Sequence, residues 1–412
     1  MAWQLRSEGA GKIGARIIVL LVSATVQHAW AEDKEQVLTP YVQYSLLYDD
    51  NLLRVRDAQA AMASVGTDKM SDTLRSEVGG LRFERLFSRQ RIKLDASVTK
   101  TTYDYFKQFN NDGRDLSANW GWVIGNRLSG DVGYVYSQAL TPFQNLRVLE
   151  KNIRTMQTRY ATAAWQMHPD WTVRTQFSHF GLGYDLLSQQ SNNFTQDMVE
   201  LGLDYTARSG SIAGVQFRRT RGNYPYDSNV NGVFINNSFE QEDLKARILW
   251  LFSGKTKLQF LGGLTKRDRN SSTGGVNFIG FNARLVADWA ATGKTGLKMN
   301  LWREIGGLND VDANYALTDG VSLAAIYRPT DKLRFDGLID YERRNYNGAS
   351  IVTGVTPSNR KDTYQKASFG VTYFPTRSWS LLLSVYRESV QSNIDSFGYV
   401  SNGISLSTRY EF

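Results

Sequence analysis

The sequence predicts an all-β chain, a transmembrane antiparallel β-barrel of about 18 strands with short turns at one end and long loops at the other. Three observations carry this. The last stretch, Val400 to Phe412, alternates strictly in polarity. Segments of about 9 to 14 alternating residues recur along the chain at an average of roughly 21 residues, as spanning strands should. The connectors between them alternate between tight turns and long polar runs.

In the closing stretch, Ile404, Leu406, Thr408, Tyr410 and Phe412 fall on one side, and Gly403, Ser405, Ser407, Arg409 and Glu411 on the other. One face suits lipid and the other water. An aromatic terminus with a second aromatic two residues before it resembles the closing strand of bacterial outer-membrane barrels. That resemblance implies that Tyr410 and Phe412 serve as the address read by the barrel assembly machinery.

The N-terminus is set aside as a secretory signal peptide over residues 1–31. Arg6, Lys12 and Arg16 precede an apolar core, Ile17 to Val22 with Ala24 and Val26, and Ala29-Trp30-Ala31 is a small-x-small site with cleavage between Ala31 and Glu32. The apolar run falls short of the ~20 residues a spanning helix needs. Residues 32–412 then form one barrel domain. Hydrophobic residues make up 42% of the chain and no other stretch approaches a membrane helix, so a helical membrane protein is excluded. The absence of cysteine rules out disulfide frameworks and thiolate metal sites. The net charge of +8 is spread through alternating signs rather than clustered with stacking aromatics, which argues against nucleic acid as a partner.

Taken in order, Val42, Tyr44, Leu46 and Tyr48 open the series, followed by a long connector, Asp49 to Asp72, read as polar. Leu74 to Phe87 carries Gly79-Gly80 inside it, expected as a bulge or bend. Ile92, Leu94, Ala96 and Val98 then alternate with Arg91, Lys93, Asp95, Ser97 and Thr99. Similar strands are predicted over Asp115–Ile124, Leu128–Ser137, Thr155–Met167, Trp171–Phe180, Asp197–Ala207, Ile212–Thr220, Asp243–Phe252 and Lys257–Lys266. The series is completed by Phe278–Trp289, Gly296–Glu304, Leu317–Tyr327, Leu333–Arg343, Gln365–Phe374, Trp379–Glu388 and the closing strand.

Short connectors such as Ser88-Arg89-Gln90, Gly125-Asn126-Arg127, His168-Pro169-Asp170 and Ser209-Gly210 carry turn-forming residues. Long ones, such as Gln138 to Asn152, Gly181 to Asn193, Arg221 to Ser238 and Asn345 to Lys361, lie between them. In outer-membrane barrels the short turns face the periplasm. Trp122, Trp165, Trp171, Trp250, Trp289 and Trp379 lie close to short turns, with Trp120 slightly further in, and are expected as an interfacial girdle. The prolines lie at strand starts or in connectors, where no ladder hydrogen bond is lost.

No catalytic constellation emerges, and no cofactor is expected. His168 lies in a turn without a nucleophile or metal ligand beside it. Ser178 and His179 are adjacent on a strand and so point to opposite faces, which forbids a barrel-hydrolase pair. Asp310-x-Asp312-x-Asn314 resembles the start of a calcium loop but lacks the glycine at its sixth position and the glutamate at its twelfth. The lumen remains. Inward rows are predicted to carry Arg91, Lys93, Asp95, Arg174, Glu200, Asp204, Arg218, Asp243, Lys245, Arg247, Arg284, Asp288, Arg334, Asp336 and Asp340. Arg174, Arg218, Arg247 and Arg284 are the candidate contacts for an anionic or hydroxyl-rich solute, joined by Trp302, the tryptophan that lies away from the turns.

Several strand–loop junctions resemble one family: the type-two β-barrel porins associated with exopolysaccharide biosynthesis loci in bacteria carrying an exosortase sorting system. The likeness rests on Tyr48-Asp49-Asp50-Asn51-Leu52-Leu53-Arg54, Ile92 to Phe106, Asn152-Ile153-Arg154-Thr155, Gly183-Tyr184-Asp185 and Arg221-Gly222-Asn223-Tyr224-Pro225. It implies an outer-membrane protein of polysaccharide production or export with no established catalytic residues, and outer-membrane lipid, the exopolysaccharide and other export components as partners. A porin for small solutes shares all the same architectural features, and a barrel enzyme acting on lipid or glycan is the remaining reading.

Overall fold

A computed structural model of the chain describes residues 38–144, 149–230, 233–269, 277–306, 315–347 and 360–412. The predicted signal peptide and its cleavage site at Ala31 and Glu32, as well as the Asp310-x-Asp312-x-Asn314 run, lie outside the described residues.

The strands, in order, are β1 (Leu38–Asp49), β2 (Asp72–Phe87), β3 (Gln90–Tyr103), β4 (Asn111–Ile124), β5 (Leu128–Leu140), β6 (Ile153–His168), β7 (Trp171–Tyr184), β8 (Phe194–Thr206) and β9 (Ile212–Asn223). A small hairpin, β10 (Ser228–Val230) with β11 (Val233–Ile235), stands outside the barrel. The wall resumes with β12 (Phe239–Ser253), β13 (Thr256–Arg269), β14 (Phe278–Trp289), β15 (Thr295–Gly306), β16 (Tyr315–Thr330) and β17 (Leu333–Asn347). It ends with β18 (Lys361–Tyr373), β19 (Trp379–Ser392) and β20 (Tyr399–Glu411).

Eighteen of these form one antiparallel sheet in which each strand pairs with the next in sequence, β9 passing to β12 across the hairpin. The sheet closes on itself. β1 pairs with β2 on one edge and with β20 on the other, from Tyr41↔Glu411 to Asp49↔Gly403. Closure gives every described wall strand a paired neighbour on both sides, which is the condition a spanning sheet must meet. The amide of Phe412 donates to the carbonyl of Pro40 at 2.9 Å, so both described chain ends meet at the short-turn end.

Period-two alternation sets the two faces. Val42, Leu46, Val199, Leu244, Leu264, Phe281, Ile339, Leu383 and Leu406 are exposed on the outside, as lipid-facing residues of a barrel must be. Trp120, Trp165, Trp171, Trp250, Trp289 and Trp379 are exposed on the same outer face near the short turns, forming the expected girdle. Tyr410 and Phe412 pack edge to face at 5.0 Å in that belt. Tight turns need left-handed backbone at Ser88, Gly125 and Gly210 (φ 54°, 59° and 82°), and glycine supplies it at two of the three without steric cost.

Two expectations are corrected. Gly79 and Gly80 sit in an unbroken register with β1 and β3, not at a bulge. The first long connector is not simply polar. It contains a helix, α1 (Ala58–Val65), capped by the Asp57 carboxylate on the Ala60 amide at 2.7 Å, and it buries Leu52, Leu53, Val55, Ala61 and Val65. These side chains join Tyr103, Phe106 and Phe109 around the β3–β4 connector and Phe143 of the β5–β6 connector in one apolar cluster. Each fully enclosed Leu or Phe contributes ~1.5–3 kcal/mol, so the three connectors hold together as a packed rim rather than as separate loops.

Candidate functional site: the lumen wall and its rim

The register places all four predicted arginines on the inner face, and three of them converge. Asp204 on β8 receives Arg174 of β7 as a two-pronged fork, Nε to Oδ2 at 2.6 Å and Nη2 to Oδ1 at 3.2 Å, and also receives Arg247 Nη1 of β12 at 2.6 Å. Glu200, two inward steps along β8 with Gly202 between, receives Arg218 of β9 at 2.9 and 2.6 Å and the Gln216 amide at 3.1 Å. Arg174 Nη1 also reaches Glu200, at 3.4 Å.

The layering matters more than the pairing. The carboxylates are enclosed against the wall at 5% side-chain exposure, whereas Arg174, Arg218 and Arg247 keep 24%, 21% and 30%. Solute in the lumen therefore meets guanidinium, with acid behind it. Gly202 makes room for this arrangement: a Cβ there would lie 2.8 Å from Arg174 Nη2.

Asp243 continues the network on β12, accepting from Lys245, Gln241 and Thr265 at 3.1, 3.0 and 2.5 Å. Arg267 donates to Gln241 at 2.9 Å and stacks on Phe239 at 3.9 Å. Arg284 stands apart from the first three. It forks onto Glu304 at 2.9 and 2.5 Å and lies 5.5 Å from the Trp302 ring. Trp302 is only 8% exposed and lies flat on Gly320, where a Cβ would meet its ring at 2.2 Å. The ring shapes the wall and offers solute little free face.

The inner face is divided electrically. From β6 to β15 it presents Arg154, Arg174, Arg218, Lys245, Arg247, Lys257, Arg267, Arg284 and Lys298 against Glu200, Asp204, Asp243, Asp288 and Glu304. From β16 round to β5 it presents Glu84, Asp95, Asp115, Asp131, Asp336, Asp340, Glu342, Asp362, Glu388 and Glu411 against Arg82, Arg91, Lys93, Arg334, Arg344, Lys366 and Arg409. A basic arc faces an acidic one across the lumen. Low-dielectric walls focus such a field along the water between them.

The acidic arc is tied to the rim by a residue outside the strands. Arg54 ion-pairs with Asp49 at 2.7 Å and Glu388 at 3.6 Å, and Tyr386 and Tyr399 donate to those acids at 2.7 and 2.6 Å. Burial opposes the charge of Arg54, but the fields of Asp49, Tyr386 and Glu388 outweigh it and hold the guanidinium more firmly protonated than usual. Asn51 clamps the same turn to β20, donating to the carbonyl of Val400 at 2.8 Å. The first connector is thus packed at the rim against inward-facing residues of β1 and β19 and against the backbone of β20. Sequence reasoning did not single out Arg54 as a wall residue. The signal was present in Leu52, Leu53 and Val55, apolar residues that a solvated loop has no use for.

His179 and Ser178 do point to opposite faces. The ring of His179 pairs with Asp197 at 2.7 Å on the outer surface, while Ser178 lines the inside.

No family model matches the chain, and no curated protein matches it. Solved structures do. OccK2 (OpdF) from Pseudomonas aeruginosa is 11% identical, with 91% of this chain and 98% of that one covered at a TM-score of 0.50. A BenF-like porin from Pseudomonas fluorescens Pf-5 is 9% identical, with 92% and 99% covered at 0.49. The outer membrane protein OpdK from Pseudomonas aeruginosa is 9% identical, with 91% and 99% covered at 0.48. At such identities the likeness concerns the fold alone. A closed eighteen-stranded wall, apolar outside and charged inside, makes this chain an outer-membrane β-barrel of porin-like architecture.

Proposed function

We propose that the barrel is a water-filled channel for small hydrophilic solutes and that its basic arc holds the anionic group of what passes. Barrels of 16–18 strands are wide enough to keep an aqueous lumen. The observation that carries the reading is the placement of Arg174, Arg218 and Arg247 on the lumen side of Glu200 and Asp204. The acidic arc opposite adds a transverse field that orients a solute bearing both signs.

The test is a reversal potential across a planar bilayer holding the purified protein in a KCl gradient. The reading expects the wild type to favour chloride, and the double variant Arg174→Gln, Arg218→Gln to lose part of that preference with its conductance retained. An insulating wild type, or a reversal potential that the double variant leaves unchanged, would sink it. The polysaccharide reading rests on the short junction motifs alone, and no feature of the lumen favours a polymer over a small solute. It would return if deletion of the chain abolished secreted polysaccharide.

A further inference from the structure

Three other deeply enclosed cations each have an acid beside them. Lys245 has Asp243 at 3.1 Å, Arg360 has Asp362 at 2.6 Å, and Arg54 has Asp49 at 2.7 Å. Arg154, the second residue of β6, does not. It faces inward between Ala139 of β5 and Tyr184 of β7 and is 0% exposed. None of its three guanidinium nitrogens has a hydrogen-bond partner among the described residues.

Two further polar atoms share this condition one step beyond, where the β5–β6 ladder ends. Thr141 and Asn152 are joined by a backbone hydrogen bond of 2.8 Å, and both are buried. Thr141 Oγ1 and Asn152 Nδ2 are also without partners. The amide orientation of Asn152 is fixed, because its Oδ1 accepts from the Leu186 amide at 3.3 Å, which leaves Nδ2 as a committed donor. The adjacent backbone is pinned: Asp185 Oδ1 accepts from the Ile153 amide at 2.6 Å, and the Asp185 amide donates to the Ile153 carbonyl at 3.0 Å. The site is therefore held by two connectors and is not an accident of a loose loop.

A buried guanidinium without an acceptor is among the most costly arrangements a protein interior can hold. Here it coincides with a second fixed donor and a hydroxyl able to donate, and none of the three side chains carries a charge-neutralising acceptor. A cation has nothing to bind. A planar or tetrahedral oxyanion matches the guanidinium fork and the two flanking donors. We propose that Arg154, Asn152 and Thr141 form an oxyanion-binding site at the rim of the barrel, taking the carboxylate or phosphate group of a small ligand. This site shares no residue with the cluster of Arg174, Arg218 and Arg247 on Glu200 and Asp204 that carries the channel reading, and its occupancy is read by stability rather than by ion flow, so it stands or falls apart from that reading.

The experiment is thermal unfolding of the refolded barrel in detergent, with sodium phosphate or sodium glucuronate titrated against sodium chloride at matched ionic strength. In the wild type, one or both oxyanions raise the unfolding midpoint in a concentration-dependent way that chloride does not reproduce. A response to phosphate alone identifies a phosphoryl ligand; a response to glucuronate identifies a carboxylate. Arg154→Met loses the response. Asn152→Asp places a carboxylate beside the guanidinium, raises the midpoint without added anion and also loses the response, which keeps the test informative if Arg154→Met does not refold. The proposal is overturned if neither oxyanion acts on the wild type beyond chloride, or if the variants respond as the wild type does.

Discussion

Arg54, carried on a connector, lies 3.6 Å from Glu388, a residue of β19 that is completely shielded from solvent. One guanidinium thus joins the start of the wall to its end across the closing seam, because its second partner, Asp49, is the last residue of β1.

Removing it should loosen the first connector from the wall. Arg54→Ala leaves Asp49 enclosed without its counter-charge and Glu388 with Lys366 alone at 3.9 Å, a loss of about 3–5 kcal/mol for a buried pair broken on one side. The expected result is rapid proteolytic cleavage between residues 50 and 71 in an otherwise folded barrel, together with noisier single-channel current. Glu388→Gln, which keeps the hydrogen-bonding shape, should be cleaved more slowly than Arg54→Ala.

Asp204 stands behind two arginines, so Asp204→Asn should change both selectivity and stability. Arg174 and Arg247 would lose their shared acid. Reversal-potential measurements should then show stronger chloride preference than the wild type, the opposite sign from Arg174→Gln. The unfolding midpoint in urea should fall, with a loss on the order of 2 kcal/mol for hydrogen bonds to a charged group.

Trp302 occupies the space that Gly320 leaves open. A Cβ at 2.2 Å from its ring cannot be absorbed by small shifts, so Gly320→Val should expel the indole from its seat. Overpacking of this kind costs about 1–3 kcal/mol. Tryptophan emission should move to longer wavelength as the ring meets lumen water, and single-channel conductance should drop.

The two faces of β20 can be tested against each other. Leu406 is 54% exposed on the outside, opposite Leu46 of β1, while the neighbouring Ser407 points inward to Ser45 at 2.8 Å. Leu406→Arg should cost about 2–4 kcal/mol near the middle of the bilayer. Ser407→Arg should cost far less, because its charge enters water. Urea titrations followed by the mobility shift of the folded barrel compare the two directly.

The strand inventory was legible because lipid and water impose opposite demands on alternate residues. Every strand predicted from alternation is present, yet most run further than predicted at the long-connector end: β7 to Tyr184 rather than Phe180, β12 from Phe239 rather than Asp243, β17 to Asn347 rather than Arg343. The reason is physical. Beyond the hydrocarbon the outer face also becomes polar, as at Arg219, Arg221 and Glu240, where two arginines share one acid on the outside, and period two loses its contrast. The same alternation placed Arg174, Arg218, Arg247 and Arg284 on the inner face. It could not show that three of them meet at two acids and the fourth does not, because that depends on pairing between strands distant in sequence. Arg54 and Arg154 were hidden for another reason. Each owes its role to how a connector folds back, and connectors carry no period.

The seam between β1 and β20 also limits how the gene can change. With adjacent strands antiparallel all the way round, β19 runs in the same direction as β1. A chain deprived of its final strand would bring two parallel edges together, and the antiparallel register that now seals the cylinder, from Tyr41↔Glu411 to Asp49↔Gly403, would be lost. Growth or shrinkage that keeps an antiparallel seal therefore proceeds by whole hairpins, and a premature stop within the last strand removes this seal.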